Sequence, residues 1–143
     1  MLDSGPLGLV TQPKISPEVL SLNRTLLRCL REGDRVHVPA IIYYELRREL
    51  LRAQKTGGLS RLDTFIESEP GRYLPLTDEA LRLAAELWAK SRQEGFVTAP
   101  PWDLDIDVIL AAQSMTIGAD VIVVTTNPRH IGRFVTARQS SEL

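Results

Sequence analysis

Apolar positions recur at helical spacing along most of this chain, and short unbroken apolar runs separate the helical stretches. The best specified helix starts at Ser16: serine caps it, Pro17 suits its first position, and Val19, Leu22, Leu26 and Leu30 fall on one face. Gly33-Asp34 ends it, and Val36-His37-Val38 is a compact strand candidate. Pro39 opens a second helix predicted from about Ala40 to Thr56, with Ile42, Leu46 and Leu50 four apart and Gly57-Gly58 closing it. A helix follows over Leu59 to Glu67, then a short extended segment at Tyr73-Leu74-Pro75-Leu76. Thr77 caps the next helix, whose inner stripe is predicted as Leu81, Ala84, Ala85 and Trp88. A proline-rich loop, Thr98 to Trp102, leads into a helix from about Asp105 to Ile117. Val121-Ile122-Val123-Val124 is the strongest strand candidate, and its unbroken apolar run fits a strand covered on both faces. A helical turn near Arg129 and a last strand near Phe134-Val135 complete the pattern. At the other end, Met1-Leu2-Asp3-Ser4-Gly5-Pro6-Leu7 reads as the end of a very short strand followed by a Gly-Pro turn.

Strands separated by helices imply an α/β fold with a mostly parallel sheet between helical layers. The length of 143 residues fits a single domain over 1–143, and no linker, repeat or low-complexity segment divides it. Apolar residues make up 43% of the chain, and no run approaches the roughly 20 apolar residues of a membrane helix. No basic segment leads a long apolar run at the start, so no secretory signal is expected and the chain reads as cytoplasmic. The lone Cys29, among Leu26, Leu27 and Leu30, excludes an internal disulfide and reads as a small buried hydrophobe. A net charge of −1 argues against nucleic-acid binding by bulk positive charge. The distribution is more telling: Arg47, Arg48, Arg52, Lys55 and Arg61 crowd one region, and Arg129, Arg133 and Arg138 another. Guanidinium forks suit phosphate, and equally suit salt bridges.

In an open α/β sheet, ligands bind beyond the carboxyl ends of the strands. Four distant parts of the sequence place polar residues there. Asp3 follows the first short strand, and Glu45 lies in the first turns of the helix after the second. Asp105 and Asp107 open the helix that feeds the strongest strand, and Thr125, Thr126 and Asn127 end that strand. Gathered carboxylates repel unless a cation neutralises them, and an all-oxygen donor set selects Mg²⁺ or Mn²⁺ over zinc. The matching chemistry is phosphodiester hydrolysis by a metal-activated water. Each residue also has a plainer use. Asp3 can cap the following turn, Glu45 can pair with Arg48 on the helix surface, and Asp105 is a good helix N-cap. Asp107 in the first helical turn gains from the helix dipole, and Asp103 falls in the loop.

The stretches Leu2-Asp3-Ser4-Gly5-Pro6-Leu7, Tyr44-Glu45-Leu46-Arg47-Arg48-Glu49, Asp105-Ile106-Asp107-Val108-Ile109-Leu110-Ala111-Ala112-Gln113 and Val124-Thr125-Thr126-Asn127-Pro128-Arg129-His130 resemble, in order, the motifs of PIN-domain nucleases. They are most similar to the VapC-type toxins of bacterial toxin–antitoxin pairs. The resemblance implies a five-stranded parallel sheet in a three-layer α/β/α sandwich, Mg²⁺ or Mn²⁺ as cofactor, RNA as substrate, and a homodimer silenced by a cognate antitoxin. It makes Asp3, Glu45 and Asp107 the acidic ligands. The fourth acidic position falls in Thr125-Thr126-Asn127, where this chain has no carboxylate, which leaves neutral Asn127 as a ligand or water holder. Ser4, Asp105, Thr125, Thr126 and His130 become supporting or substrate-contact positions, and Arg48 and Arg52 phosphate contacts. Two alternatives stay open: an RNA-processing nuclease of the same fold, and a catalytically inactive module that binds RNA or protein.

Overall fold

The computed structural model describes residues 1–96 and 105–143. The predicted loop Thr98 to Trp102 and the acidic Asp103 lie outside the described residues. Helix α1 (Ser4–Thr11) is followed by α2 (Pro17–Glu32), β1 (Val38–Pro39), α3 (Ala40–Arg52), α4 (Thr56–Glu67) and β2 (Tyr73–Leu74). Then come α5 (Asp78–Gln93), α6 (Ile106–Ile117), β3 (Val123–Val124), α7 (Pro128–Ile131), β4 (Ala137–Arg138) and a closing 3-10 turn (Ser140–Glu142).

Five short extended segments form one hydrogen-bonded array in the order β2, β1, residues 1–3, β3, β4. β1 pairs in parallel with β2, β3 pairs in parallel with β4, and Leu2 bridges in parallel to Val124. Leu2 joins the two pairs by donating its N–H to His37 O at 2.9 Å, while Met1 O accepts from Val124 N at 2.8 Å. This is the expected parallel α/β arrangement. Its interior holds fully buried Leu2, Leu7, Val38, Ile42, Leu62, Leu110 and Val123. No helix among the described residues is long and apolar enough to cross a membrane.

Where local chemistry dictates an end, the helices stop and start as the sequence predicts. Ser16 accepts from Val19 N, Thr77 from Ala80 N and Asp105 from Val108 N, each filling a donor the first turn leaves open. Gly33 closes α2 at φ +96°, a conformation that favours glycine.

Elsewhere the structure corrects the pattern. Gly5-Pro6 is not a turn but the first turn of α1: Asp3 caps the helix, and a proline there forfeits no intrahelical bond. Helix α3 ends at Arg52 because Gln54 takes a left-handed φ of +54°, and Gly57-Gly58 open α4 instead of closing α3. Gly58 is small for a packing reason, since a Cβ there would lie 2.7 Å from Leu50 Cδ2 across the α3–α4 contact. On α5 the buried line is Ala80, Ala84 and Ser91, with Leu81 and Ala85 exposed; small side chains let α5 lie close along α6. Pairing in β3 is confined to Val123–Val124. The last strand is Ala137–Arg138, because Phe134 and Val135 turn back onto Ile131 O. β1 likewise sits at Val38–Pro39, starting two residues and ending one residue later than the Val36–Val38 run suggests. Cys29 is only partly buried.

Candidate active site

Asp3 stands where the central segment ends and α1 begins, so its carboxylate meets donors from two elements. Oδ1 accepts from Ser4 N at 2.6 Å, and Oδ2 accepts from the Thr125 hydroxyl at 2.6 Å. Thr125 follows β3 directly with only 3% of its surface exposed, and its Oγ1 also accepts from Asn127 N at 3.1 Å. The Asp3 backbone is held by the same strand, its N–H donating to Val124 O at 3.0 Å. Both oxygens of Asp3 are thereby oriented by the sheet edge. Thr126 points the other way along the extended chain: it is exposed and packs on Gly5, where a Cβ would stand 2.9 Å from its Oγ1.

Helix α6 brings the second pair of carboxylates. Asp105 is buried at its N-cap, accepting from Val108 N at 3.2 Å. Asp107, in the first turn, is half-buried. Its carboxyl is pushed above the ordinary aspartate range, first by burial and then by the negative charges of Asp3 and Asp105, with Glu45 adding to them; His130 opposes the shift. The imidazole Nδ1 of His130 lies 3.8 Å from Asp107 Oδ2, a long approach from the solvent side. Glu45 reaches this group from the second turn of α3 and is half-buried. Thus Asp3, Glu45 and the pair Asp105 and Asp107, from three separated parts of the chain, act on one another at the carboxyl edge of the sheet.

Other candidates stand further out. Asn127 is exposed at the start of α7, and its side chain makes no capping bond. The Arg52 guanidinium pairs with Glu49 at 2.8 Å, and Arg48 lies over the Tyr44 ring and 3.7 Å from Glu49. Among the described residues no three carboxylate, histidine or cysteine side chains stand close enough to hold an ion between them. The donor chemistry nonetheless suits a hard cation: all the donors are oxygens, and repulsion among them adds to burial in raising Asp107. An open cavity lined by Leu9, Ser21, Gln139 and Ser140 runs up to Thr125 and Thr126.

Sequence reasoning assigns no role to Gln113, which is buried in α6 at 3% exposure. An amide inside an apolar run is the signal that reveals it, since a buried amide must find partners.

A family model of the PIN domain matches residues 21–133, a span that includes Glu45, Asp105, Asp107 and Asn127 and stops short of Asp3. Comparison with curated protein sequences gives no match. Among solved structures, the fold is similar to a chain of VapBC2 from Rickettsia felis bound to a promoter DNA fragment. The TM-score is 0.74 at 17% identity, covering 97% of this chain and 96% of that one. It is also similar to a chain of FitAcB from Neisseria gonorrhoeae, with a TM-score of 0.70 at 18% identity, covering 99% and 98%. With its parallel α/β fold and a family match over most of its length, the chain belongs to the PIN domain family.

Proposed function

We propose that this chain is a single nuclease domain that hydrolyses RNA phosphodiester bonds with Mg²⁺ or Mn²⁺, acting as the toxin of a toxin–antitoxin pair. The observation that carries the reading is that Asp107 is half-buried on α6 within the electrostatic reach of Asp3, Asp105 and Glu45, its carboxyl raised first by burial and then by their charges. Asp3, Glu45 and Asp107 would hold the ion, with Asn127 as a neutral oxygen donor. A bound ion supplies charge neutralisation and an acidified water at neutral pH. The protein's part is positional. Thr125 and Ser4 fix both oxygens of Asp3, Asp105 fixes the first turn of α6 that carries Asp107, and His130 offers a proton-exchanging group on the open side. Arg48 and Arg52, exposed on α3, are the candidate phosphate contacts, in competition with Glu49. Similarity in fold to VapBC2 supports an antitoxin partner, and the homodimer rests on the resemblance to the VapC-type toxins alone.

Cleavage of structured RNA in the presence of Mg²⁺, and its loss with chelator, tests the reading. Asp107→Asn abolishes cleavage with the fold intact, whereas Asp105→Asn is mild, because asparagine also caps a helix. The reverse order would place the chemistry on the wrong carboxylate. The neutral Asn127 favours a second reading, an inactive RNA- or protein-binding module; Mn²⁺ binding without cleavage of any RNA would select it.

A further inference from the structure

Helix α3 begins with a gap in its own chemistry. Its N-cap is Pro39, whose side chain accepts no hydrogen bond, so the first-turn N–H groups receive nothing from the usual source. Ile41, the second residue of the helix, is 5% exposed, so water is a poor substitute. The missing acceptor comes from another helix: the Gln113 Oε1 of α6 accepts from Ile41 N at 3.4 Å. The same amide donates Nε2 to Leu74 O at 3.3 Å and to Pro75 O at 3.4 Å, at the end of β2. One buried side chain on α6 thus ties down the start of α3 and the carboxyl end of β2. Asp107 sits on α6 six residues before it, and Glu45 sits on α3 four residues after Ile41.

We infer that Gln113 is a positioning residue for the metal site: as the surrogate N-cap of α3 it sets the placement of Glu45 relative to Asp107. The three bonds are individually long; the Ile41 N–H is buried and has the most to lose, whereas Leu74 O and Pro75 O are partly open to water, so the cap on α3 carries most of the effect. An apolar residue of the same length would fill the space and leave Ile41 N–H, Leu74 O and Pro75 O to find new partners, letting α3 turn slightly on α6. Loss of a bond to a metal ligand typically weakens metal binding about tenfold or more, and Gln113, acting through the seat of α3, marks the lower end of that range.

The inference rests on the metal-site reading above, and the test separates the two. Mn²⁺ binding to the folded protein is titrated calorimetrically for wild type, Gln113→Met and Val19→Ala, the last a truncation of a buried side chain on α2, outside the acidic group. Stability is measured in parallel by urea denaturation, and RNA cleavage by kcat and KM. Gln113→Met is expected to raise the Mn²⁺ Kd about tenfold and lower kcat with little change in KM. Val19→Ala is expected to lose stability with its Mn²⁺ Kd unchanged. If wild type binds no Mn²⁺, the metal-site reading fails and this inference with it. If wild type binds Mn²⁺ and folded Gln113→Met binds it equally well, Gln113 is a structural amide only and the inference alone is overturned. Should the methionine variant fail to fold, Gln113→Asn, which withdraws the amide by one methylene, is read in the same way. A raised Kd supports the positioning role and an unchanged Kd overturns it.

Discussion

Replacing Thr125 with valine keeps the shape of the side chain and removes one hydroxyl. That hydroxyl does two things: it donates to Asp3 Oδ2 at 2.6 Å and accepts from Asn127 N at 3.1 Å. A hydrogen bond to a charged group contributes about 1.5–3 kcal/mol, and the half-buried setting of Asp3 argues for the lower end. Asn127 is exposed, so water partly replaces its lost acceptor and adds little to the cost. Thr125→Val is therefore expected to cost about 2 kcal/mol, or a drop of about 4–8 °C in Tm for a chain of this size. Thr125→Ser keeps the hydroxyl and loses a buried methyl, worth about 0.8 kcal/mol. Urea denaturation of the three proteins, with chelator present, checks the order wild type, serine, valine. A valine variant within about 0.5 kcal/mol of wild type would show that the Asp3–Thr125 bond is not a stabilising contact, and that Asp3 is not held by the sheet edge.

Three further outcomes follow from the charges. In chelator, Asp107→Asn is expected to stabilise the fold at neutral pH. A carboxyl raised by burial and by Asp3, Asp105 and Glu45 binds its proton more tightly folded than unfolded, so stability falls as pH rises through its raised pKa. Denaturation curves from acid to neutral pH should diverge between the two proteins and reconverge when Mg²⁺ is added; a variant weaker than wild type at neutral pH contradicts the reasoning. Asn127→Asp is expected to lower the Mg²⁺ concentration for half-maximal cleavage, and unchanged metal dependence in a folded variant removes position 127 from the ligand set. At Asp63, burial alone would raise the pKa. The hydrogen bonds from Arg47 at 2.7 Å and Tyr43 at 2.8 Å outweigh it and leave the carboxyl below its ordinary range. Asp63→Asn should then destabilise modestly at neutral pH and not below the carboxylate range, since that contribution is lost as pH falls through the lowered pKa; a pH-independent loss would mean packing instead.

Cap chemistry was legible in the sequence because it is local: Ser16, Thr77 and Asp105 each needed only the three residues that follow. Gly5-Pro6 misled because the same pair serves a turn or a first helical turn, and the deciding contact is the Asp3 cap. The Val121–Val124 run overstated its strand because Val121 and Ile122, apolar but only partly buried, precede the point where ladder pairing begins. On α5 the size of the facing helix decided the buried line, which periodicity alone does not report. At the candidate site, the acidic residues stood out as polar positions at strand ends and helix starts. Which of Thr125 and Thr126 would meet Asp3 was a question of pleat: adjacent residues of an extended chain face opposite ways. Arg48 and Arg52 read as phosphate contacts from their guanidinium chemistry, and the structure adds Glu49, their neighbour in sequence, as a competing partner.

The middle of the sheet is stitched from the two ends of the chain. Thr125 and Asp3 are 122 residues apart, and bringing such distant points together costs about 4 kcal/mol in chain entropy before any contact repays it. On a ribosome adding about 5–20 residues per second, Asp3 emerges on the order of ten seconds before the strand that holds it. Until then residues 1–3 lack their β3 neighbour, and the carboxylates of α3 and α6 have no sheet edge to meet. Under the proposed function, this order of events is protective to the cell that makes the chain. Any product broken off before β3 carries Asp3, Glu45 and Asp107 yet cannot assemble them, so activity arrives only once β3 has been made.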